Sequence, residues 1–411
     1  MISIKEARQI VREYRLEPHR ERRALEESLG YYLAEDIRAP EPLPRFDNSA
    51  MDGFAVALPE GADHNVPLRL PVVGESRAGV PYETSLEEGT AARISTGAVV
   101  PEGTDLVVPV EDTEMADDRV TIRSLGNTGA HIRLKGEEVE EGAVIAAQRT
   151  RVTPPVLAWC ATFGITELPV YARPRVAVLT TGHELIDYAQ SPEPGQIRNS
   201  NQLFLEYYLR SIGLRPVRSA RVPDSLKATE QALREAASLA EVILISGGVS
   251  VGRHDHVKEA AENLGFRRRF WKVAQKPGKP LYVASGEHTM LFGLPGNPVS
   301  TVMSTLVYVH PVLNYLRGSP AAELPAVHVP LSEPLTGLRS SRARFLLVQL
   351  DHREDGSLTL SPAARQRSHM LSGVTTGDGF LIVPPDEDTI KAGTVVTVYL
   401  FPWNTEIQTI E

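Results

Sequence analysis

The alternation of buried strands with helices between Arg173 and about Gly318 constrains the fold more than any other feature of this sequence. Residues 175–179 and 241–246 are almost continuously apolar, as in strands that are covered on both faces of a parallel sheet. The alternation predicts an α/β sandwich with a mostly parallel sheet. Ligands of such sheets bind beyond the carboxyl ends of the strands. Strands are predicted at 175–179, 241–246, 269–274 and 289–294, and helices at 200–212, 225–239, 256–264 and 297–316.

The segments on either side of this region have other patterns. Ser3 and Glu6 resemble a capping box that opens a helix to about Leu16, and a second helix is predicted at 22–29. Short strands between Gly and Pro turns are predicted from 48 to about 145. The helix around 153–163 indicates a return to the first helical layer, and the chain after Gly318 is β-like.

With 411 residues the chain is too long for one hydrophobic core, so the sequence predicts an α/β multidomain protein. Four domains are expected. They are a discontinuous helical N-terminal domain at 1–47 plus 146–172, an inserted β-rich domain at 48–145, the α/β domain at 173–319 and a C-terminal β-barrel-like domain at 320–411.

Charge and composition exclude several classes of protein. The net charge of −9 argues against general nucleic-acid binding, which needs a basic surface. A lone cysteine, Cys160, cannot build a disulfide framework or a cysteine-based zinc site within the chain. No apolar run approaches the ~20 residues of a membrane span, and the N-terminus lacks a signal-peptide pattern. The sequence therefore predicts a cytoplasmic protein without a membrane segment.

The loop 246–255, Ser-Gly-Gly-Val-Ser-Val-Gly-Arg-His-Asp, leads from a buried strand into a helix. Glycines let backbone N–H groups approach an anion closely, and Asp255 is suited to a hydrated Mg²⁺ that bridges phosphates. For the Gly-Gly pair alone, a plain turn is the better explanation. His254 and His256 flank Asp255, but neighbouring residues seldom converge on one transition metal.

The segment from Gly265 to Pro280 contains six basic residues and no acidic one. Its charge is therefore positive, although the net charge of the chain is −9. A Pro-Gly pair fixes a turn between Lys276 and Lys279, so both ammonium groups can face one site. A phosphate or another tetrahedral anion is the natural ligand. The three arginines at 267–269 are equally compatible with a solvated basic face.

Two further loops follow predicted strands. The segment 293–300, Gly-Leu-Pro-Gly-Asn-Pro-Val-Ser, precedes a long helix, a position that suits an anion and also an N-cap role for Asn297. Glu184 follows the first strand and is placed to reach a ligand or an ion. Asp224 precedes the helix at 225–239, and this position alone favours an N-cap role.

Five motifs in order resemble one family. They are PRFDNSAMDGFAV at 44–56, ISTGA with PEGTD at 94–105, GGVSVG-x-x-D at 247–255, W-K-x-x-x-KPGKP at 271–280 and GLPGNPVS at 293–300. One short motif is easily matched by chance, whereas five in order are not. On these motifs the chain is similar to the molybdopterin molybdenumtransferase family, which includes bacterial MoeA-type proteins and the E domain of gephyrin.

The resemblance implies an Mg²⁺-dependent transferase of molybdenum cofactor biosynthesis. Such an enzyme inserts molybdate into adenylylated molybdopterin with release of AMP. The resemblance also implies a homodimer with the active site in a cleft between subunits, and it makes other cofactor-assembly proteins candidate partners. Because no Ser-His-Asp or Cys-His grouping is evident, we expect catalysis by electrostatic positioning without a covalent enzyme intermediate.

Site residues are implied by the same resemblance. Those implied as catalytic are Asp52, Thr96, Glu184, Asp224, Asp255, Lys276 and Lys279, and three of these carboxylates, Glu184, Asp224 and Asp255, are implied as metal ligands. Those implied in binding the pterin phosphates and molybdate are Gly247, Gly248, Ser250, Lys272, Pro277, Gly296, Asn297, Ser300, Arg342 and Ser368.

The chain departs from the family pattern at several positions. His183 and Glu138 stand where the family commonly has Asp, and Arg344 stands where an acid is usual. The stretch 366–369 replaces a more glycine-rich sequence. His183 leaves open whether molybdate or tungstate is the working oxyanion.

Two other functions share part of these features. An adenylyltransferase uses a related α/β domain, although the β-rich domains and the Asp52 motif speak against it. A gephyrin-like scaffold without catalysis would tolerate loss of the lysines, and the expected linker and second module are not evident in this chain.

Overall fold

The computed structural model describes residues 1–62, 67–250, 255–352, 356 and 358–403. They belong to two compact units. The first unit contains Met1–Ala34, Arg149–Thr153 and the chain from Glu167 onward, and the second contains Glu35–Gln148 and Pro154–Thr166. This division is coarser than the four expected domains, which remain a prediction.

The first unit begins with helix α1 (Ile4–Glu13). The predicted capping box is present, because Ser3 Oγ accepts from the Glu6 N–H and the Glu6 carboxylate accepts from the Ser3 N–H. The predicted helix at 22–29 is wrong. Strand β1 (Arg20–Ala24) pairs antiparallel with residues Glu167–Tyr171, and a short 3-10 turn (Leu25–Glu27) follows it. Strand pairing here overrides the helix propensity of the Arg, Glu, Ala and Leu residues.

The second unit is rich in short strands, as its Gly and Pro turns predict. Its elements are β2 (Ile37–Arg38), β3 (Asn48–Ser49), β4 (Gly53–Ala57), β5 (Leu68–Ser76), β6 (Thr90–Ile94), β7 (Leu106–Pro109), β8 (Thr113–Ala116), β9 (Arg119–Ile122), β10 (Ile132–Arg133), β11 (Val144–Ala146) and α2 (Pro154–Thr162). Six of the strands form a sheet in the order β7-β4-β6-β5-β9-β8. Both faces of β4 are buried, because Phe54 and Val56 pack in one cluster and Ala55 and Ala57 in another.

The α/β part of the first unit follows. Its elements are β12 (Glu167–Tyr171), β13 (Val176–Thr181), β14 (Leu185–Ile186), β15 (Ile197–Arg198), α3 (Ser200–Ser211), β16 (Pro216–Val222), α4 (Leu226–Leu239), β17 (Val242–Ser246), α5 (Val257–Asn263), β18 (Arg267–Trp271), β19 (Gln275–Lys276), β20 (Tyr282–Ser285), β21 (Met290–Leu294), α6 (Pro298–Ser304) and α7 (His310–Leu316). A six-stranded sheet has the order β16-β13-β17-β21-β20-β18. Its first four strands are parallel, and β20 runs antiparallel to both of its neighbours, β21 and β18, which confirms the predicted α/β sandwich with a mostly parallel sheet.

Burial on both faces explains the continuous apolar runs. In β13, Val176 and Val178 pack in one core cluster, whereas Ala177 and Leu179 pack in the other. Successive strand side chains point to opposite faces of a sheet, so a strand covered by helices on both faces needs apolar residues at every position.

The predicted helix at 297–316 is helical throughout 298–316 but contains a π-helical turn (Thr305–Val309) between α6 and α7. Nearly all of its side chains are buried. A helix that is buried on every side lies in the middle of a core, and this one supports the loop that precedes it.

A polar network lies inside this core. The ring of His310 contacts the Tyr208 hydroxyl at 2.5 Å through Nδ1 and the Asn314 side-chain amide nitrogen at 2.8 Å through Nε2. Because the Asn314 N–H donates to Nε2, the arrangement fits a neutral ring. Burial lowers the pKa of His310 to about 4, and the guanidinium of Arg317 adds to this effect.

We expect His310 to make folding sensitive to acid. The pKa of the ring is near 6.5 in the unfolded chain and about 4 in the folded protein, so the unfolded state binds the proton first as the pH falls. The free energy of unfolding should drop by about 3 kcal/mol from this residue between pH 6.5 and pH 4. Urea titrations should show a shallower pH dependence in His310→Gln. His288→Gln, at a side chain that is 85% exposed, should keep the wild-type dependence, and equal slopes in all three proteins would contradict the assignment.

The C-terminal part of the first unit is a second six-stranded sheet. Its elements are β22 (Ala326–Pro330), β23 (Ala343–His352), β24 (Leu358–Pro362), α8 (Ser372–Thr375), β25 (Gly379–Val383) and β26 (Val395–Leu400). The order is β19-β23-β25-β26-β22, and β24 pairs with β23. Strand β19 therefore adds Gln275 and Lys276 to this sheet, where they pair in parallel with Ala343 and Arg344.

Within the described part of the chain, the structure contains no helix of sufficient length and apolarity to span a membrane.

Candidate functional site

A cleft of about 1140 Å³ opens at the carboxyl ends of β13, β17 and β21. All of its lining residues belong to the first unit. The loops that the sequence singled out line it together, at the edge where ligands of parallel sheets bind. The lining includes Glu184, Asp224, Gly247, Gly248, Ser250, Asp255, Lys276, Pro277, Lys279, Gly296, Asn297, Ser300, Arg342 and Ser368.

The glycine loop after β17 needs its glycines for two physical reasons. Gly247 and Gly248 have φ values of +95° and +66°, in the left-handed region that side chains rarely adopt. A Cβ on Gly247 would lie 2.3 Å from the carbonyl oxygen of Thr181, so the loop also packs tightly against the end of β13. His254, considered above as a metal ligand, lies outside the described residues, as do the other loop residues at 251–253.

Asp224 is oriented toward the end of β13 and does not cap α4. Its carboxylate accepts from the Thr181 hydroxyl and, at 2.8 Å, from the N–H of His183. The N-cap of α4 is Ser225, whose Oγ accepts from the Ala228 N–H, so the N-cap interpretation of Asp224 is wrong. His183 contributes its backbone to this contact, and its exposed side chain is not among those that line the cleft.

Three carboxylates line the cleft, those of Glu184, Asp224 and Asp255. Among the described residues, however, no group of three His, Cys, Asp or Glu side chains is arranged to hold a metal ion by itself. Mg²⁺ usually takes one or two carboxylates and completes its shell with water and phosphate oxygens. The donor set therefore fits an ion that arrives with a phosphorylated ligand.

The turn that carries Lys276 and Lys279 is held from below by a buried glutamine. Gln275 is fully buried, its Nε2 donates to the Gly278 carbonyl at 3.0 Å, and its Oε1 accepts from the Tyr308 hydroxyl at 2.5 Å. Gly278 has a φ of +92°, and the Lys276–Pro277 peptide bond is cis. Both lysine side chains are exposed to the cleft, as the sequence predicted.

The C-terminal sheet adds further positive charge to the cleft. Arg342 donates through Nη1 to the Gln275 carbonyl at 3.1 Å, which places its guanidinium beside the lysine turn. The carbonyl of Ser368 accepts from the Val299 N–H at 3.0 Å, so this segment is joined to the start of α6. Of the residues that the structure describes, six Lys and Arg side chains line the cleft, namely Arg198, Lys276, Lys279, Arg342, Arg344 and Arg367, together with His369. They outnumber the three carboxylates in a chain whose net charge is −9.

Asn297 and Ser300, two of the proposed binding residues, lie at the start of α6. Asn297 is the N-cap of α6 by position, but its side chain makes no capping hydrogen bond, and Pro298 occupies the first turn. Ser300 is almost fully buried at 2% exposure. The Asn297 amide is therefore not committed to the helix and borders the cleft.

Lys272 is not among the residues that line the cleft. Its backbone φ is +72°, and its ammonium lies 3.9 Å from the centre of the Trp271 ring. Its assignment to phosphate or molybdate stays a prediction.

Asp52 and Thr96 belong to the second unit. The Asp52 carboxylate accepts from the Thr96 N–H at 2.8 Å, so the two separate motifs meet. Their contribution to a site remains a prediction.

Sequence reasoning missed several lining residues. Asn201 Nδ2 donates to Ser246 Oγ at 2.9 Å and to the Gly296 carbonyl at 2.7 Å, which ties α3 to two of the loops. Arg198, Arg367 and His369 were also missed as cleft residues. The run Asn199-Ser200-Asn201 at a helix start was a usable signal, because such residues cap helices and orient loops. The arginines had no local signal.

Family models match three parts of the chain. The MoeA N-terminal region (domain I and II) matches residues 2–164, a probable molybdopterin binding domain matches 177–315, and the MoeA C-terminal region (domain IV) matches 329–401. Together these matches include most of the chain and all of the loops described above.

Curated relatives extend over almost the same length. A molybdopterin molybdenumtransferase 2 from Mycobacterium tuberculosis is 38% identical, with 91% of this chain and 93% of the relative covered. The molybdopterin molybdenumtransferase of Haemophilus influenzae is 34% identical, with 92% and 93% covered.

A similar fold is present in a solved structure. The crystal structure of a molybdopterin biosynthesis moeA protein from Pyrococcus horikoshii has a TM-score of 0.84 at 28% identity, with 97% of this chain and 99% of that chain covered. The predicted α/β multidomain fold class is therefore confirmed.

Proposed function

Since this chain belongs to the molybdopterin molybdenumtransferase family, we propose that it inserts molybdate into adenylylated molybdopterin with release of AMP. The observation that carries the proposal is the cleft, where six Lys and Arg side chains and three carboxylates lie at the carboxyl end of a parallel sheet. Molybdate and the pterin phosphates are anions, and a locally cationic cleft in an acidic chain would concentrate them.

The lysine turn is the proposed oxyanion site. Lys276 and Lys279 extend from a turn that Gln275 holds rigidly, and Arg342 lies beside it. Groups fixed in place before the reaction stabilise developing negative charge without reorganisation. Arg342, Ser300 and Ser368 would bind the remaining oxygens by charge and hydrogen bonds.

The carboxylates at the opposite loops are the proposed metal region. Asp224 is already oriented by Thr181 and the His183 N–H, and Glu184 and Asp255 line the same cleft. Mg²⁺ bound there would supply charge that polarises the pyrophosphate of the substrate. The side chains of this chain would bind and orient the nucleotide, and loss of AMP would make the transfer effectively irreversible.

The proposal includes a cytoplasmic homodimer. Asp52 and Thr96, joined by their hydrogen bond, are the proposed contribution of the second unit to catalysis. Other cofactor-assembly proteins are the proposed partners.

The function is tested by mixing the purified protein with adenylylated molybdopterin, molybdate and Mg²⁺. We expect AMP release to depend on molybdate and to yield a product that reconstitutes a cofactor-free molybdoenzyme. Removal of divalent ions by EDTA should abolish AMP release, and added Mg²⁺ should restore it. The carboxylates alone do not supply a full metal shell, so EDTA should be able to remove the ion. Tight binding of the nucleotide without AMP release would favour a scaffold, and formation of adenylylated pterin from ATP would favour an adenylyltransferase.

A further inference from the structure

We propose that Lys258 and Trp271 are positioning residues that clamp the glycine loop, so that the N–H groups of Val249 and Ser250 point into the cleft and bind the phosphates of the nucleotide. The inference rests on the proposed function, since it names how that cleft binds the phosphorylated part of its substrate. It assigns a role to a lysine and to an indole that are not among the lining residues of the cleft.

Three successive carbonyls of the loop accept hydrogen bonds. The Gly248 carbonyl accepts from the Val257 N–H at 3.3 Å. The Val249 carbonyl accepts from the indole N–H of Trp271 at 3.0 Å. The Ser250 carbonyl accepts from the ammonium of Lys258 at 2.5 Å.

The direction of the Val249 and Ser250 N–H groups follows from the first two of these bonds, whereas the bond from Lys258 fixes the position of Ser250. Both peptide bonds, 248–249 and 249–250, are trans, and a planar trans peptide points its carbonyl and the next N–H in opposite directions. Because the carbonyls of Gly248 and Val249 face α5 and β18, the N–H groups of Val249 and Ser250 face the other way. Neither N–H donates to another described residue, and both residues line the cleft. Consecutive N–H groups of this kind form a concave anion site.

Lys258 and Trp271 act as one clamp because they also contact each other. The Lys258 ammonium lies 3.8 Å from the centre of the indole ring, a distance at which a cation is attracted to the ring face. The side chain of Val249 is buried, and Gly293 leaves room for it, since a Cβ there would lie 2.6 Å from Val249 Cγ1. The loop is therefore fixed by the buried side chain of Val249 and by the two donors, Trp271 and Lys258.

The electrostatic surroundings of Lys258 agree with this role. Burial lowers the pKa of Lys258, and the carboxylate of Asp255 partly offsets that effect. Lys258 thus lies close to an acid that lines the cleft while its ammonium is bound to the loop. Its own charge is not presented to the cleft, so it acts through the loop backbone.

The test replaces Lys258 with Met, which keeps most of the stem and removes the ammonium. Lys227→Met is the matched control. Lys227 is the second residue of α4, as Lys258 is of α5, but its side chain is exposed. Binding of adenylylated molybdopterin is measured by calorimetry without molybdate. We expect the dissociation constant to rise about tenfold in Lys258→Met, the effect of one charge-assisted hydrogen bond, and Lys258→Arg to restore most of the affinity.

Trp271→Phe provides a second variant that keeps a ring and removes the indole N–H. It should weaken nucleotide binding in the same direction, and amide hydrogen exchange in the segment 246–250 should accelerate in both variants but not in Lys227→Met. Free molybdate should bind all variants equally, since the lysine turn is unchanged. Wild-type affinity in Lys258→Met, or equal loss in its Arg variant, would overturn the clamp while leaving the proposed function intact. A wild-type protein that binds no adenylylated molybdopterin would overturn both.

Discussion

Replacing Lys276 with Ala should reduce molybdate-dependent AMP release by about 100-fold or more, the usual effect of removing one fixed electrostatic donor from a reaction site. Lys276 lies at the end of β19, where it pairs with Arg344 of β23, and its side chain is exposed in the cleft. Gln275 holds the turn through the Gly278 carbonyl, so the alanine should leave the backbone in place. The alanine should therefore lower the rate of the reaction and the affinity for the oxyanion without changing the fold.

The measurement is AMP release at increasing molybdate concentration, in wild type, Lys276→Ala and the exposed control Lys227→Ala. Unfolding by urea should show the three proteins to be equally stable within about 0.5 kcal/mol, since surface substitutions seldom do more. Full activity in Lys276→Ala would remove the lysine turn from the mechanism. Loss of activity in Lys227→Ala as well would point to an effect that is not specific to the cleft.

The sheet and the site loops were predictable because their signals are local. A strand covered on both faces is apolar along most of its length, and β13 and β17 are apolar except for Thr180, Thr181 and Ser246 at their carboxyl ends. The loops at the ends of β17 and β21 carry Gly and Pro where the backbone has to turn sharply. Since parallel strands end at one edge, the topology brings together loops that are far apart in sequence.

Other features were not predictable because they depend on pairing across the fold. Residues 22–29 contain good helix formers, yet Arg20–Ala24 pairs with Glu167–Tyr171. Strand β16 has no continuous apolar run, and its residues alternate between partly buried and exposed because it lies at the edge of the sheet. Asp224 has the sequence position of a helix cap, but its carboxylate reaches Thr181 on the neighbouring strand.

The cationic side of the cleft shows the same limit. Lys276 and Lys279 were identifiable from their turn, whereas Arg342, Arg344 and Arg367 reach the cleft because β19 joins the C-terminal sheet. Two residues of pairing decide that junction, and no local pattern marks it. Only the family resemblance points to Arg342, and Arg344 departs from the family pattern. In the structure that departure adds a positive charge to the cleft.

Replacing Gly247 with Ala should destabilise the first unit and close part of the cleft. Its φ of +95° is unfavourable for any side chain, and the new Cβ would lie 2.3 Å from the Thr181 carbonyl oxygen, a contact that backbone movement has to relieve. Left-handed strain and overpacking together should lower the free energy of unfolding by about 3 kcal/mol.

Gly195→Ala separates the two causes of that loss. Gly195 has a similar φ of +89°, but a Cβ there would meet nothing within 4 Å, so this variant should lose only about 1 kcal/mol. Urea unfolding measures both losses, and nucleotide binding reports on the loop. Because the shift would move the end of β13, where Thr181 orients Asp224, the Gly247 variant should also bind adenylylated molybdopterin more weakly, whereas the Gly195 variant should bind it normally. Equal stability losses in the two variants would show that the close approach of loop and strand does not constrain the site.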